Sequence, residues 1–272
     1  MITPARPARA IAGIGRVLLW GGGSLWIGRA AGSGHVHAHH AIQLSLALSG
    51  TLRLRSDGGE WTDYTGAIVG PHVRHQFDGC GESVAQLFVE PETADGHALV
   101  QRHDPACIEA LPADRIAPVI ASLRAAHAAH APDGALIALG RDSITQLAAT
   151  TRTAPAVDPR ITRVIDRLST RHGAPVTLAE GARVAHLSPS HFRHLFIAQT
   201  GLSFRAYLLW TRVASAVGAA MAGTSWTEAA QQWGFADSAH LTRTCRRMFG
   251  IAPTMLVRED ASASSPRSGR SG

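Results

Sequence analysis

One segment occurs twice within the last hundred residues of the chain, in register at a spacing of 48–49. The first copy holds Thr177-x-x-Glu180, then Ser188-Pro189, then His191, Phe192 and Phe196, and closes on Gly201. The second holds Ser225-x-x-Glu228, then Asp237-Ser238, then His240, Leu241 and Cys245, and closes on Gly250. A hydroxyl followed three residues later by Glu is a capping box, in which each side chain satisfies the other residue's amide, so each copy begins a helix. Ser188 with Pro189 behind it, and Asp237 with Ser238, begin a second helix in each copy. Between the paired helices lie Ala185-His186-Leu187 and Trp233-Gly234-Phe235-Ala236, and Gly234 supplies the positive φ that a sharp helix-ending turn needs. Two short helices around a tight turn form the helix-turn-helix unit. The duplication therefore predicts two such units in tandem.

The second helix of each copy has one apolar face, Phe192, Leu195 and Phe196 in the first and Leu241, Cys245 and Met248 in the second, at helical spacing. Ser190, Arg193 and His194 fall on the opposite face of the first, and Ser238, Ala239, His240 and Arg243 mark the corresponding stretch of the second. Such a short, polar, cationic face suits a major groove. Arg pairs bidentately with guanine, His and Ser donate to bases or phosphates, and Ala239 meets a thymine methyl. The two faces differ, so the two half-sites should differ and a monomer should read a directional site.

In this region the chain resembles the AraC/XylS family of transcription regulators. The residues that carry the resemblance are Ala230-x-x-x-Gly234-Phe235-x-Asp237-Ser238-x-His240-Leu241-x-Arg243, followed by Phe249-Gly250-x-x-Pro253. Phe204-x-x-Tyr207-Leu-Leu-x-x-Arg212-Val-x-x-Ala216 resembles the family's linker helix. Carried over by position, the resemblance implies base contacts at Ser190, Arg193 and His194, and at Ala239, His240 and Arg243. The chain departs from the pattern at Cys245, where the family usually has Phe, and at Met255-Leu256 in place of Tyr-Arg. The resemblance implies double-stranded DNA and a small-molecule effector as partners, with RNA polymerase as a further candidate.

The charge distribution agrees with this reading. Residues 17–110 hold 5 Arg against 10 Asp and Glu, a net of −5, whereas residues 156–258 hold 12 Arg against 5, a net of +7. A basic C-terminal half is the footprint of a polyanion partner. Cys80, Cys107 and Cys245 offer no disulfide framework or zinc spacing and fit a reducing compartment, so a cytoplasmic location is expected. The apolar run after Arg16 is broken by Gly21-Gly22-Gly23, which argues against a signal peptide, and no apolar stretch is long enough to span a membrane.

From Arg16 to Val89 the chain reads as short strands: Arg16–Trp20, Leu25–Ala30, Ala41–Leu48, Thr51–Arg55, Glu60–Tyr64, Gly66–Val69 and Ser83–Val89. Turn signals separate them, as in a sandwich or barrel. His37-x-His39-x-x-x-Gln43, with Gly50 beyond, looks like the first motif of the cupin barrel with Gln in place of its Glu. Gly66-x-x-x-x-Pro71-x-x-x-His75 approximates the second motif. An effector pocket is expected at His37, His39, Gln43, Trp61, Tyr64 and His75. No metal or other cofactor is expected, because Gln43 lacks the charge of a carboxylate ligand; a metal in the barrel would take His37, His39 and His75.

The fold expected is a two-domain α+β chain with a cupin-like β-barrel, a helical pair and a C-terminal all-α domain with two helix-turn-helix units. Residues 1–16 and 259–272 are expected as disordered tails, 17–110 as the sensor domain, 111–152 as a helical dimerisation segment and 156–258 as the DNA-binding domain. The helical pair, Ala113–His130 and Gly134–Thr151, is where a homodimer would form. The function expected is an effector-sensing, sequence-specific DNA-binding regulator, not an enzyme. The alternative is a metal-dependent cupin enzyme, a dioxygenase or isomerase, with an accessory basic domain.

Overall fold

The computed structural model describes residues 12–149, 157–169 and 176–259. Most of the expected tails 1–16 and 259–272, and residues 150–156 and 170–175, lie outside these residues.

The N-terminal half begins with β1 (Ala12–Trp20), β2 (Gly23–Ala31), β3 (Ile42–Ala47), β4 (Leu52–Ser56), β5 (Thr62–Tyr64), β6 (Gly66–Val69), β7 (His75–Asp78) and β8 (Glu82–Val89). Helix α1 (Ala94–Arg102) and strand β9 (Ile108–Ala110) follow, and then the helices α2 (Ala113–Ala128) and α3 (Asp133–Ala148). One sheet runs β1-β2-β8-β3-β6-β9, with a further strand beside β1, and a second runs β5-β4-β7. Ala47, Leu52, Leu54, Ala67, Val69, Phe77 and Val84 form one apolar cluster that includes residues of both sheets. Strand alternation sorts the rest: Ile42, Leu44 and Leu46 of β3 pack with α2 and α3 through Ile116, Val119, Leu123, Leu136 and Ile144. Gln43 and Ser45, between them in sequence, must point to the opposite face. Both are fully buried, at 1% and 0% exposure.

The sequence pattern placed most strands, began β1 four residues late, and missed β7, α1 and β9. Strand β1 starts at Ala12, inside the stretch expected as a tail. Its Gly15 pairs with Gly28 of β2, where a Cβ on either residue would lie 2.1–2.2 Å from the partner strand's backbone. This close approach is what the glycines permit, and they erase the apolar alternation that marks a strand. Strand β7 is His-Gln-Phe-Asp, too short and polar to read as one. Helix α1 and strand β9 were not expected either.

The C-terminal half consists of α4 (Pro159–Ser169), α5 (Leu178–Val184), α6 (Pro189–Thr200), α7 (Phe204–Met221), α8 (Trp226–Gln232) and α9 (Ser238–Phe249). It ends in a strand, β10 (Leu256–Arg258), which pairs in parallel with β1 through Gly13 to Leu256, Ile14 to Val257 and Gly15 to Arg258. The C-terminal domain is helical as expected, and this short strand is its one departure from an all-α domain among the described residues. Met255-Leu256, where the sequence departs from the AraC/XylS pattern, leads into it.

The two helical units are anchored differently. Around α4, α5 and α6, the residues Ile161, Val164, Ala182, Phe192, Phe196, Phe204 and Tyr207 form a separate core. The α8–α9 unit instead shares its core with the sheet: Ala41 and Phe88 pack with Trp210, Val213, Phe235, Leu241, Cys245 and Phe249. The ring of Phe249 lies 4.9 Å from Trp26, 5.8 Å from Phe88 and 5.5 Å from Trp210.

Candidate DNA-reading helices and sensor cavity

Both capping boxes form. The Glu180 amide donates to Thr177 Oγ1 at 3.2 Å and the Thr177 amide to Glu180 Oε2 at 2.8 Å. Ser225 and Glu228 repeat the exchange at 3.2 and 3.1 Å. The recognition helices are capped by Ser188 and Asp237, which accept from the His191 and His240 amides. They end at Gly201 and Gly250, whose φ of 72° and 71° are the left-handed caps that glycine takes without strain. In the turn of the second unit Gly234 has φ 74°, whereas the equivalent position of the first is His186 at φ 55°. A side-chain-bearing residue there carries local strain.

Ser190, Arg193 and His194 are exposed on α6, and Ala239 and Arg243 on α9. His194 is turned along its own helix, where Nδ1 donates to the Ser190 carbonyl at 2.9 Å. Ser238 is half-buried. His240 is also half-buried, edge-on to Phe235 at 5.3 Å, so less of its ring faces outward than helical spacing alone indicates. The sequence reading did not single out Arg246 and Arg247, which are exposed on the last turn of α9.

Inside the barrel the sequence-predicted pocket residues divide. His37, His39 and His75 converge, each buried, with one ring nitrogen of each within 4.8 Å of the others. Gln43 joins them: its Oε1 lies 2.9 Å from His39 Nε2 and 3.3 Å from His75 Nε2, and its amide donates to Ser45 Oγ at 2.8 Å. Burial holds all three imidazoles neutral: His37 is pushed down to about 3 by burial and then by His39, and His39 to about 4 chiefly by burial. His75 falls well below the ordinary value for the same first cause. Trp61 and Tyr64 lie elsewhere. Trp61 sits under the guanidiniums of Arg53 and Arg55, at 5.5 and 4.8 Å, and half-buried Tyr64 packs against the cluster shared by the two sheets.

A cleft opens from His37 and Gln43. Its walls are Phe77, Val84, Gln86 and Phe88 of the barrel together with Met221, Phe249, Ile251 and Leu256 of the C-terminal half. The barrel interior thus meets the end of the second recognition helix. The His35 amide donates to the Gly250 carbonyl at 2.9 Å, and a Cβ on Gly250 would lie 2.5 Å from His37 Nδ1.

A second polar cluster joins the barrel to α7. Glu90 accepts from Tyr207 Oη at 3.1 Å and Trp210 Nε1 at 3.3 Å, beside the buried pair of His40 and Glu92 at 2.8 Å. Burial, and then the Glu92 charge, hold the Glu90 carboxyl up at about 7. Burial likewise raises the Tyr207 phenol.

Paired helix-turn-helix units with cationic outer faces define a DNA-binding protein, with one unit docked on a second domain that holds a polar cavity. Comparison agrees. The helix-turn-helix domain family matches residues 182–259, and this C-terminal region is an AraC-type helix-turn-helix domain. The fold as a whole is similar to that of ToxT from Vibrio cholerae O395, at 10% identity over 90% of this chain and 94% of that one, with a TM-score of 0.51. An apo ToxT variant from strain SCE256 aligns with a TM-score of 0.53 at 9% identity over 90% of this chain and 94% of that one. Wild-type ToxT with a bound unsaturated fatty acid, from the same strain, aligns with a TM-score of 0.50 at 11% identity over 94% of this chain and all of that one. No curated protein matches the chain. Among the described residues no helix is long and apolar enough to cross a membrane.

Proposed function

We propose that the chain is a sequence-specific DNA-binding transcription regulator whose cupin-like barrel senses a small-molecule effector, and that it is not an enzyme. The observation that carries this reading is the shared cleft, whose floor is His37 and Gln43 and whose wall includes Phe249, Ile251 and Leu256. A ligand there touches the barrel and the segment that ends α9. It therefore binds more tightly to one arrangement of the two than to another, which a ligand-driven switch requires. The lining is mainly apolar with a few convergent polar groups, the composition of a small-molecule site. The fatty-acid-bound neighbour supports a ligand in this fold without naming the one used here.

On the DNA side we assign base contacts to Ser190, Arg193 and His194 of α6 and to Ala239 and Arg243 of α9, with His240 at the edge. Arg246 and Arg247 supply phosphate contacts. A homodimer would have to use the outer faces of α2 and α3, because Ile116, Val119, Leu123, Leu136 and Ile144 are packed inside the chain. The test of the reading is fluorescence anisotropy on DNA fragments from upstream of the gene and its neighbours, with and without small metabolites. Sequence-selective binding that falls steeply with salt and shifts with one metabolite supports it. Equal affinity for all DNA, unmoved by any ligand, contradicts it.

A further inference from the structure

We infer that a second cleft, between the barrel, the start of α1, α4 and α7, binds an organic cation, a primary ammonium carried on an apolar body. The cleft encloses about 800 Å³, within the usual range for a small-molecule site. It is separate from the cleft floored by His37, and Phe88 is the one residue that lines both. Its aromatic walls are Phe88, Trp20, Tyr207 and Trp210, and three carboxylates line it, Glu90, Glu92 and Asp166. No Arg is among the described residues of the lining, and the chain has no Lys. Carboxylates and aromatic faces are the groups that hold an organic cation, the first by charge-assisted hydrogen bonds and the second by cation–π contact.

The protein leaves these carboxylates short of partners. Glu92 is 5% exposed; its Oε2 accepts from His40 Nε2 at 2.8 Å, but its Oε1 has no hydrogen-bond partner among the described residues. A buried orphan of this kind costs stability until something donates to it. Glu90 accepts one bond on each oxygen, from Tyr207 and from Trp210, which leaves a lone pair on each. Two buried carboxylates thus face at most one counter-charge, that of His40. An ammonium between them supplies the missing charge and three N–H donors for the open acceptor positions. Calcium takes six to eight oxygen ligands, whereas this lining is mostly apolar. Without a cation a proton meets the same need, since burial and the Glu92 charge hold Glu90 up at about 7. Thr162 and Ile165 of α4 line the cleft, and α4 belongs to the core of the first helix-turn-helix unit. A bound cation therefore bears on that unit as the His37 cleft bears on the second. The site can be measured without DNA, and failure of either cleft leaves the other standing.

The experiment is isothermal titration calorimetry of the full-length protein near pH 8 with phenethylamine, with neutral phenethyl alcohol and anionic hydrocinnamate as matched probes. The expected result is saturable binding of one amine per chain, roughly tenfold or more weaker binding of the alcohol, and none of the acid. Tryptophan fluorescence should change with the amine, because Trp20 and Trp210 line the cleft. Glu90→Gln should weaken amine binding by about 10–100-fold, and exposed Asp63→Asn should leave it unchanged. Glu92, His40 and Tyr207 are the titratable groups that face Glu90, and His97 and Asp166 lie elsewhere on the lining. A proton on Glu90 must leave before the amine binds, so wild-type affinity should fall about tenfold per pH unit below about 7. It should meet that of Glu90→Gln near pH 5.5. Alcohol binding as tight as that of the amine, unchanged amine binding by Glu90→Gln near pH 8, or no saturable heat from the amine overturns the inference. The matched probes need only the wild-type protein, so the comparison decides even if a variant fails to fold.

Discussion

Replacing Glu90 by Gln should stabilise the protein in a strictly pH-dependent way. Glu90 faces Glu92, the His40 partner of Glu92, Tyr207 and Trp210, and its carboxyl is raised from 4.5 to about 7, first by burial and then by Glu92. Between these two values the folded protein holds a proton that the unfolded chain has released, so stability falls as pH rises through the window. The shift is about 2.5 units at about 1.4 kcal/mol each, or roughly 3.5 kcal/mol, reduced to about 2–3 because Glu90 lines the second cleft, between the start of α1 and α7, which is open to solvent. Glutamine keeps an acceptor for Tyr207 or Trp210 and cannot ionise. The neutral histidines act with the opposite sign: His37 and His39, lowered to about 3 and 4, add stability as pH rises toward 6.5. They are common to both proteins and cancel in the difference. Urea unfolding followed by tryptophan fluorescence should show Glu90→Gln about equal to wild type near pH 4.5 and about 2–3 kcal/mol more stable near pH 8. A gap of the same size at both pH values would refute the buried-carboxylate argument.

Three further outcomes follow from backbone geometry and packing. His186→Gly relieves a φ of 55° in an exposed turn and should raise the stability of the first helix-turn-helix unit by roughly 0.5–1 kcal/mol, read by chemical denaturation. Gly201→Ala and Gly250→Ala impose the same left-handed strain, about 1 kcal/mol each, but only Gly250 is crowded, with His37 2.5 Å from the new methyl. The second should therefore cost clearly more and loosen α9 from the barrel, seen as faster proteolysis after α9. Phe249→Ala empties the space between Trp26, Phe88 and Trp210 and should cost about 3–5 kcal/mol in the same denaturation assay.

The helix-turn-helix units were legible because their signals are local. Capping hydroxyls, Glu at the third position and terminal glycines act over three or four residues, and both copies obeyed them. The strands of the barrel were legible where apolar residues alternate, as in β3. Gly15 and Gly28 hid the start of β1, because a pair of strands that approach through glycine carries no apolar signature. Strand β10 was not legible at all, since its pairing joins residues 13–15 to 256–258 and nothing local announces it. At the cavity, spacing brought His37, His39, Gln43 and His75 together correctly, as motif residues on facing strands and loops. Trp61 and Tyr64 lie elsewhere because aromatic character says nothing about which face of a sheet a side chain takes. Half-buried His240 has the same lesson: a 3.6-residue period places it outward, and the ring of Phe235 draws it in.

The central claim is that α6 and α9 each read their own stretch of DNA, and selection from a random duplex pool tests it most directly. Wild type should enrich two unlike blocks about one helical turn apart. Arg193→Ala should lose preference in one block and Arg243→Ala in the other, each at about 1–3 kcal/mol, with the remaining block intact. Enrichment of no motif by wild type, or uniform weakening on all sequences in both variants, would contradict the account.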